Sequence, residues 1–262
     1  MNSFINSQGF AKIGMLTVLI GAVVNIILDP IFIFSFKLGV QGAALATIIS
    51  QFISAFWTLY FLTGNKTILK LKKKNMFLQK KYVTKIFSLG MAGFMMAITN
   101  SIVTIVCNAT LQTYGGDLYI AIMTIINSIR EVASLPGQGM ANAYQPVLGY
   151  NYGAKKYSRV LQGIKFVTLS ALSMMLILWF AITVFPDLFI KIFSHNQEII
   201  KDGIRALRLY FFGFFMMAFQ MVGQAAAIGL GKAKQAIFFS VFRKVIIVAP
   251  LTIILPVYIG VD

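Results

Sequence analysis

A row of polar side chains interrupts an otherwise apolar stretch of the sequence, "NSIREVASLPGQGMANAYQPVLGYNYG", at residues 127–153. Its members are three or four residues apart: Asn127, Glu131, Ser134, Gln138, Asn142 and Gln145. Residues with this spacing share one face of an α-helix, so they form one polar stripe, roughly 27 Å long at about 1.5 Å per residue. A stripe of this kind either bonds to neighbouring helices or lines a water-filled cavity, and the sequence leaves both interpretations open.

The stripe contains one carboxylate, Glu131, with Arg130 beside it in the sequence. A carboxylate surrounded by hydrocarbon must be paired, hydrated or protonated, so Glu131 could attract a cation or exchange a proton. Successive side chains on a helix point about 100° apart, and we therefore expect Arg130 to bond to a neighbouring helix instead of to Glu131. The alternative is an ion pair between Glu131 and Arg243 or Lys244 that serves only packing.

Other residues are candidates for a polar path or for helix geometry. Pro136 should bend its helix, which would suit gating as well as packing, because proline removes a backbone hydrogen bond and clashes with the preceding turn. Asn25 and Asp29 lie one turn apart, and either structural pairing or a place on the path would explain them. The same spacing adds weaker cavity candidates: Gln220, Gln224, Asn100, Thr104 and Asn108.

Methionines also recur in groups: Met95 with Met96, Met174 with Met175, and Met216 with Met217 and Met221. Their flexible thioethers would suit a site for varied flat cations, although most should face lipid or the core. Near the single histidine, His195, either Ser194 or Asn196 could cap a short surface helix.

The elements that carry these residues are membrane helices. Hydrophobic residues make up 58% of the 262 residues and charged residues 11%, against about 25% charged in a soluble domain. Because lipid leaves backbone groups without other partners, apolar runs of about 20 residues are expected to be helical. We predict an all-α integral membrane protein with seven transmembrane helices at about residues 13–36, 38–62, 86–114, 118–149, 166–186, 209–230 and 235–259.

The net charge of +16 follows this topology. Fifteen lysines and arginines fall on one predicted side and five on the other, which places the amino terminus in the cytoplasm. Because the basic residues occupy the gaps between spans, we expect no nucleic-acid partner. The lone Cys107 excludes an intrachain disulfide. Metal-ligand spacing and phosphate-binding glycine loops are also absent, so we expect no metal site and no enzyme activity.

An interrupted repeat suggests how the spans are organised. "QGFAKIGMLTVLIGAVVNIILDP" from Gln8 resembles "LGKAKQAIFFSVFRKVIIVAPLT" from Leu230, at an offset of 222 residues. Five spans lie between the copies, so the repeat unit contains six spans and the chain is expected to cover spans five to eleven of twelve. Residues 1–64 would end an amino-terminal lobe, 65–85 would form a basic cytoplasmic linker, and 86–262 would form a carboxyl-terminal lobe that lacks its last helix.

Four segments in this order resemble the multidrug and toxic compound extrusion (MATE) transporters: "SQGFAKIGMLTVLIGAVVNIILDPIFIF", "LGVQGAALATIISQ", "QPVLGYNYGAKKYSRV" and "GLGKAKQAIFFSVFRKVIIVAPLTIILP". The resemblance implies two six-helix lobes around a central cavity. It also implies export of organic cations by alternating access, driven by Na⁺ or H⁺. The acidic residues that some members use in the first and seventh helices have no match here, since 86–114 contains no carboxylate.

The expected function is therefore a secondary antiporter in a bacterial inner membrane. Its partners would be small organic cations and membrane lipid, its only cofactor would be the coupling ion, Na⁺ or H⁺, and the sequence does not fix an oligomeric state. One alternative is a flippase for lipid-linked precursors, which a cavity holding Arg130, Arg243 and Lys244 together would favour. Another is a membrane remnant or partner subunit that does not transport.

Overall fold

The described part of the chain is almost entirely helical. The computed structural model describes residues 2–64, 67–68 and 77–259, and these form α-helices with short π and 3-10 turns and no strand. This confirms the predicted all-α class. The helices are α1 (Asn2–Ser7), α2 (Ala11–Pro30), α3 (Gly39–Thr63), α4 (Lys80–Gly153), α5 (Tyr157–Val184), α6 (Pro186–Lys191), α7 (Gln197–Phe211), α8 (Met217–Gly229), α9 (Ala233–Val241) and α10 (Ala249–Ile259). The π turns are Ile31–Ser35, after α2, and Phe242–Val248, between α9 and α10.

Several of these helices have the length and composition of membrane spans. Within the described residues, five helices are long and apolar enough to cross a membrane, or six if the bent pair α7 and α8 counts as one span. The seven predicted spans fall on these six, since α4 counts once but carries two of the predicted spans, 86–114 and 118–149.

The helix α4 is two helices joined at one residue. Its 74 residues would extend about 110 Å if straight, far beyond the roughly 30 Å of a hydrocarbon core. Gly116 has φ 66° and ψ −165°, a conformation that glycine adopts readily because it lacks a Cβ atom. The backbone at Pro136 remains helical, so the break within α4 lies at Gly116 and not at the proline.

Three predicted spans differ from the helices of the structure, two of them in their starting residue and one by a break. The third span begins at Lys80 instead of 86, and the fifth begins at Tyr157 instead of 166. The sixth is broken, since α7 ends at Phe211 and a 3-10 turn, Phe214–Met216, precedes α8. Charged residues end an apolar run without ending the helix, because long basic side chains reach the membrane surface along an apolar stem.

The chain divides into two compact units, Met1–Gln79 and Lys80–Asp262. Residues 65–66 and 69–76 of the predicted linker, 65–85, lie outside the described residues. In the first unit α2 packs on α3, where Ser54 Oγ donates a 2.9 Å hydrogen bond to the carbonyl oxygen of Thr17. Ala46 is fully buried in this unit, and Gly42 is also buried.

The core of the second unit lies between the half of α4 after Gly116 and helices α5, α7 and α8. Its most buried large side chains include Ile126, Met175, Leu207 and Phe211. Asn196 caps α7, as predicted, since its Oδ1 accepts a 2.9 Å hydrogen bond from the backbone N–H of Glu198. These contacts hold one face of α4 against the core.

The two copies of the predicted repeat begin with the same local backbone. Gly9 (φ 88°) and Gly231 (φ 74°) both adopt left-handed conformations. The next residues, Phe10 (φ −87°, ψ 49°) and Lys232 (φ −92°, ψ 47°), precede helices that begin 222 residues apart. A glycine turn of this kind redirects the chain just before each helix.

Candidate functional site

A cavity of about 440 Å³ lies inside the second unit. We call it the polar cavity, and it is lined by Met96, Ala97, Asn100, Arg130, Gln138, Ala141, Asn142, Gln145, Met217, Gln220, Met221, Gln224, Ala225, Ile228, Arg243 and Lys244. These residues come from both halves of α4, from α8 and from the π turn Phe242–Val248. The volume falls within the roughly 300–1,000 Å³ typical of small-molecule sites.

The polar stripe reaches this cavity with its later members. Gln138, Asn142 and Gln145 line it, whereas Asn127, Glu131 and Ser134 do not. Ser134 is 1% exposed; its Oγ donates to the carbonyl oxygen of Glu131 at 2.9 Å and accepts from Gln138 Nε2 at 2.9 Å. These hydrogen bonds of the stripe stay within α4 and do not join it to another helix. Gln138, Asn142 and Gln145 therefore form part of the cavity wall.

The structure places Arg130 and Glu131 differently from the prediction. Arg130 lines the cavity, and its Nε donates to Asn127 Oδ1 of the same helix at 3.4 Å, not to a neighbouring helix. Glu131 is exposed and does not line the cavity. The alternative ion pair with Arg243 or Lys244 is not formed, since the described residues contain one ion pair, Lys191–Asp187 at 3.5 Å.

The sequence spacing was also compatible with a place for Arg130 on the cavity face of α4. Arg130, Ser134, Gln138, Ala141 and Gln145 follow steps of four, four, three and four residues, which also trace a helical face. Glu131 and Arg130 both reach Gln138 by steps of three or four. Spacing alone therefore cannot decide which of the two faces the cavity.

The carboxyl-terminal helices supply two more cations. Arg243 Nη1 donates a hydrogen bond to Gln220 Oε1, and Lys244 Nζ lies 3.5 Å from the backbone oxygen of Met96. Both belong to the π turn Phe242–Val248, a local irregularity often found at functional sites. With Arg130, three cations share the cavity, and none of its lining residues is a carboxylate.

Amides and thioethers complete the wall. Gln224 Nε2 donates to the sulfur of Met96, which joins α8 to the first half of α4. The predicted candidates Gln220, Gln224 and Asn100 are thus brought together, whereas Thr104 and Asn108 lie elsewhere. Of the recurring methionines, Met96, Met217 and Met221 also line this space, whereas Met95, Met174, Met175 and Met216 do not.

Pro136 and Asp29 lie outside the cavity lining. Asp29 Oδ1 accepts a 3.2 Å hydrogen bond from Asn25 Nδ2 in the first unit, the structural pairing that their spacing predicts. Asn25, but not Asp29, lines a separate space between α2 and α3. Asp29 therefore pairs with a side chain of its own helix, α2.

Comparison with known proteins identifies the family. The MatE family model matches residues 92–254, which include every residue that lines the polar cavity. The multidrug export protein MepA of Staphylococcus aureus strain MSSA476 is 29% identical over 259 residues, or 97% of this chain and 56% of the relative. MepA of Staphylococcus haemolyticus strain JCSC1435 is 28% identical over 98% of this chain and 55% of that protein.

Solved structures agree. An outward-facing multidrug resistance MATE transporter of the MOP superfamily superposes with a TM-score of 0.92 at 25% identity, over 98% of this chain and 58% of that chain. A MOP superfamily transporter from Pyrococcus furiosus superposes with a TM-score of 0.90 at 25% identity, over 96% and 57%. For that protein, a reversed polarity of the binding pocket was taken to suggest a different function. The chain spans a little over half the length of the relatives it matches, and across this length it belongs to the MatE family.

Proposed function

We propose that this chain is part of a secondary active transporter that exports solutes across a bacterial plasma membrane by alternating access. The observation that carries the proposal is the polar cavity, a space of about 440 Å³ among apolar helices with six amides and three cations in its wall. Polar and charged groups within a membrane helix bundle are costly, and such groups typically mark a substrate or ion path. The Staphylococcus aureus relatives described as multidrug export proteins support the same function.

The organisation of the protein follows from this proposal. Residues 1–64 belong to an amino-terminal lobe, 65–85 to a cytoplasmic linker, and 86–262 to a carboxyl-terminal lobe, with the amino terminus in the cytoplasm. The inward flow of Na⁺ or H⁺ drives export, and the protein catalyses no covalent chemistry. Glu131, exposed and without an ion pair in the described structure, is our candidate for exchanging the coupling ion.

Transport by cells tests the proposal. The full-length protein is expressed in a bacterial strain without its own efflux pumps, and accumulation of solutes is measured with and without Na⁺ and with a collapsed pH gradient. We expect lower accumulation of an exported solute, and the double variant Gln138→Leu/Asn142→Leu should restore accumulation at normal membrane abundance. A protein that changes no solute's accumulation in any condition would contradict the proposal and favour the non-transporting alternative.

A second candidate, a flippase for lipid-linked precursors, has its own supporting observation. Arg130, Arg243 and Lys244 share the cavity without a carboxylate, whereas organic cations call for negative charge. The reversed pocket polarity described for the Pyrococcus furiosus transporter is a precedent within the superfamily. Flipping of a fluorescent lipid-linked phosphate in proteoliposomes would separate this candidate from drug export.

A further inference from the structure

The charge of the polar cavity is opposite in sign to that of an organic-cation site. Its three ionisable lining residues are Arg130, Arg243 and Lys244, all half-buried. The nearest carboxylate in sequence, Glu131, is exposed and lies outside the lining. A cation entering this space would meet like charges, which disfavours its binding.

Three like charges in one membrane cavity also need an explanation of their own. Removing a cation from water costs several kcal/mol unless an opposite charge or hydrogen bonds compensate. The described structure gives Arg243 one amide acceptor, Gln220, and gives Lys244 one backbone oxygen at 3.5 Å. Most of their N–H donors therefore remain available to water or to an anion.

The donor set matches phosphate. A guanidinium presents N–H groups in a planar fork that binds two phosphate oxygens at once, and an ammonium adds a point charge. Gln220 fixes one edge of the Arg243 fork through Nη1, so it acts as a positioning residue for that guanidinium.

The remaining wall is apolar. Met96, Met217, Met221 and Ile228 line the same space as the cations. Thioether and aliphatic side chains suit the carbon skeleton of a ligand whose charged end lies against the arginines.

We propose that the polar cavity binds the phosphate group of an organic phosphate, with Arg130, Arg243 and Lys244 as its ligands. The proposal that phosphate binds here is argued from the lining residues and does not depend on the proposed function. The further statement, that an organic phosphate is the transported substrate, rests on the proposed function. The phosphate can belong to a soluble molecule or to a lipid headgroup, since both present non-bridging anionic oxygens that a guanidinium can bind in pairs.

Binding to the full-length protein tests the site. With the protein in phosphate-free maltoside detergent micelles, titration with phenyl phosphate should show saturable binding that weakens at high salt. Arg243→Gln and Arg130→Gln should each weaken it about 10- to 100-fold, the range for a lost hydrogen bond between charged groups. Arg243→Lys, which keeps the charge, should retain part of the affinity, and Arg159→Gln, an exposed arginine outside the cavity, should change nothing.

A second arm distinguishes the source of the phosphate. If lipid is the source, phosphatidylglycerol added to the same micelles should raise the thermal midpoint of the wild type and of Arg159→Gln, but not of Arg243→Gln. Phenyl phosphate should then compete with this lipid. If a soluble phosphate is the source, phenyl phosphate alone should raise the midpoint.

Other outcomes would overturn the site. The site is refuted if wild type and Arg243→Gln bind phenyl phosphate equally and also bind phosphatidylglycerol equally. It is also refuted if the wild type binds neither ligand. Tetraphenylphosphonium binding that tightens in Arg243→Gln while phosphate does not bind would refute it as well. Transport is measured separately in proteoliposomes: phosphate binding without transport of any solute would refute the proposed function alone, and cation export without phosphate binding would refute this inference alone.

Discussion

Replacing Gly42 by alanine should loosen the hairpin between α2 and α3. Gly42 lies in α3 and is buried against the π turn that follows α2. A Cβ atom built at Gly42 lies 2.7 Å from both the carbonyl carbon and the oxygen of Phe32, and 3.1 Å from the backbone nitrogen of Ile33. All three are backbone atoms, so no side-chain rotation can relieve the overlap.

The size of the effect follows from these distances. Carbon atoms in contact are normally about 3.5–4.0 Å apart, so α3 and the turn must separate by roughly 0.8 Å or more. Overpacking of this kind costs about 1–3 kcal/mol. The Phe32 oxygen also accepts a hydrogen bond from Leu38 N at 3.1 Å, which the displacement would weaken. Against this, alanine in place of glycine favours a helix by about 1 kcal/mol.

A matched variant isolates the packing term. Gly139 is also helical, but a Cβ atom built there has no neighbour within 4 Å, so Gly139→Ala changes helix propensity without overlap. We expect the thermal midpoint of the full-length protein in detergent to fall for Gly42→Ala and to stay level or rise for Gly139→Ala. If the two variants have the same midpoint, the close backbone approach at Gly42 does not limit stability and the reasoning fails.

Three further predictions test the second unit. Phe211→Ala should cost about 3–5 kcal/mol because that ring is fully buried, whereas Phe212→Ala, at a side chain 77% exposed, should cost little; thermal melting of both compares them, and equal losses would contradict the assigned core. Asn196→Ala should cost about 1 kcal/mol by removing the cap on the Glu198 N–H, and Asn196→Asp should recover it in the same assay; a loss common to both variants would point away from the cap. Glu131→Gln should lower export severely at normal membrane abundance, as measured by solute accumulation and immunoblotting, and unchanged export would remove Glu131 from the coupling path.

Part of the cavity's polar wall follows the stripe predicted from the sequence, although Asn127, Glu131 and Ser134 lie outside the lining. Gln138, Asn142 and Gln145 share one face, and that face had to lie against other helices or water. The same reasoning selected Gln220 and Gln224 on another span. What periodicity within one helix cannot supply is the identity of the facing helix, since that depends on how several helices pack.

Three features needed the structure for distinct reasons. Arg130 and Glu131 are equally compatible with the stripe by spacing, so only packing could choose between them. The π turn that carries Arg243 and Lys244 has no signature in an apolar run. Helix ends that lie outside the apolar runs, such as Tyr157, are set by backbone hydrogen bonds and not by hydropathy.

The single non-helical residue at Gly116 has a mechanical consequence. Residues on both sides of it line one cavity, so the chain must turn back there, and only one residue joins the two halves of α4. Sliding one half along the other would require extra linking residues, each of which can span about 3.3–3.6 Å when extended. The joint contains only one non-helical residue. The joint therefore limits sliding of one half along the other, and the relative motion that it leaves open is rotation about the Gly116 backbone.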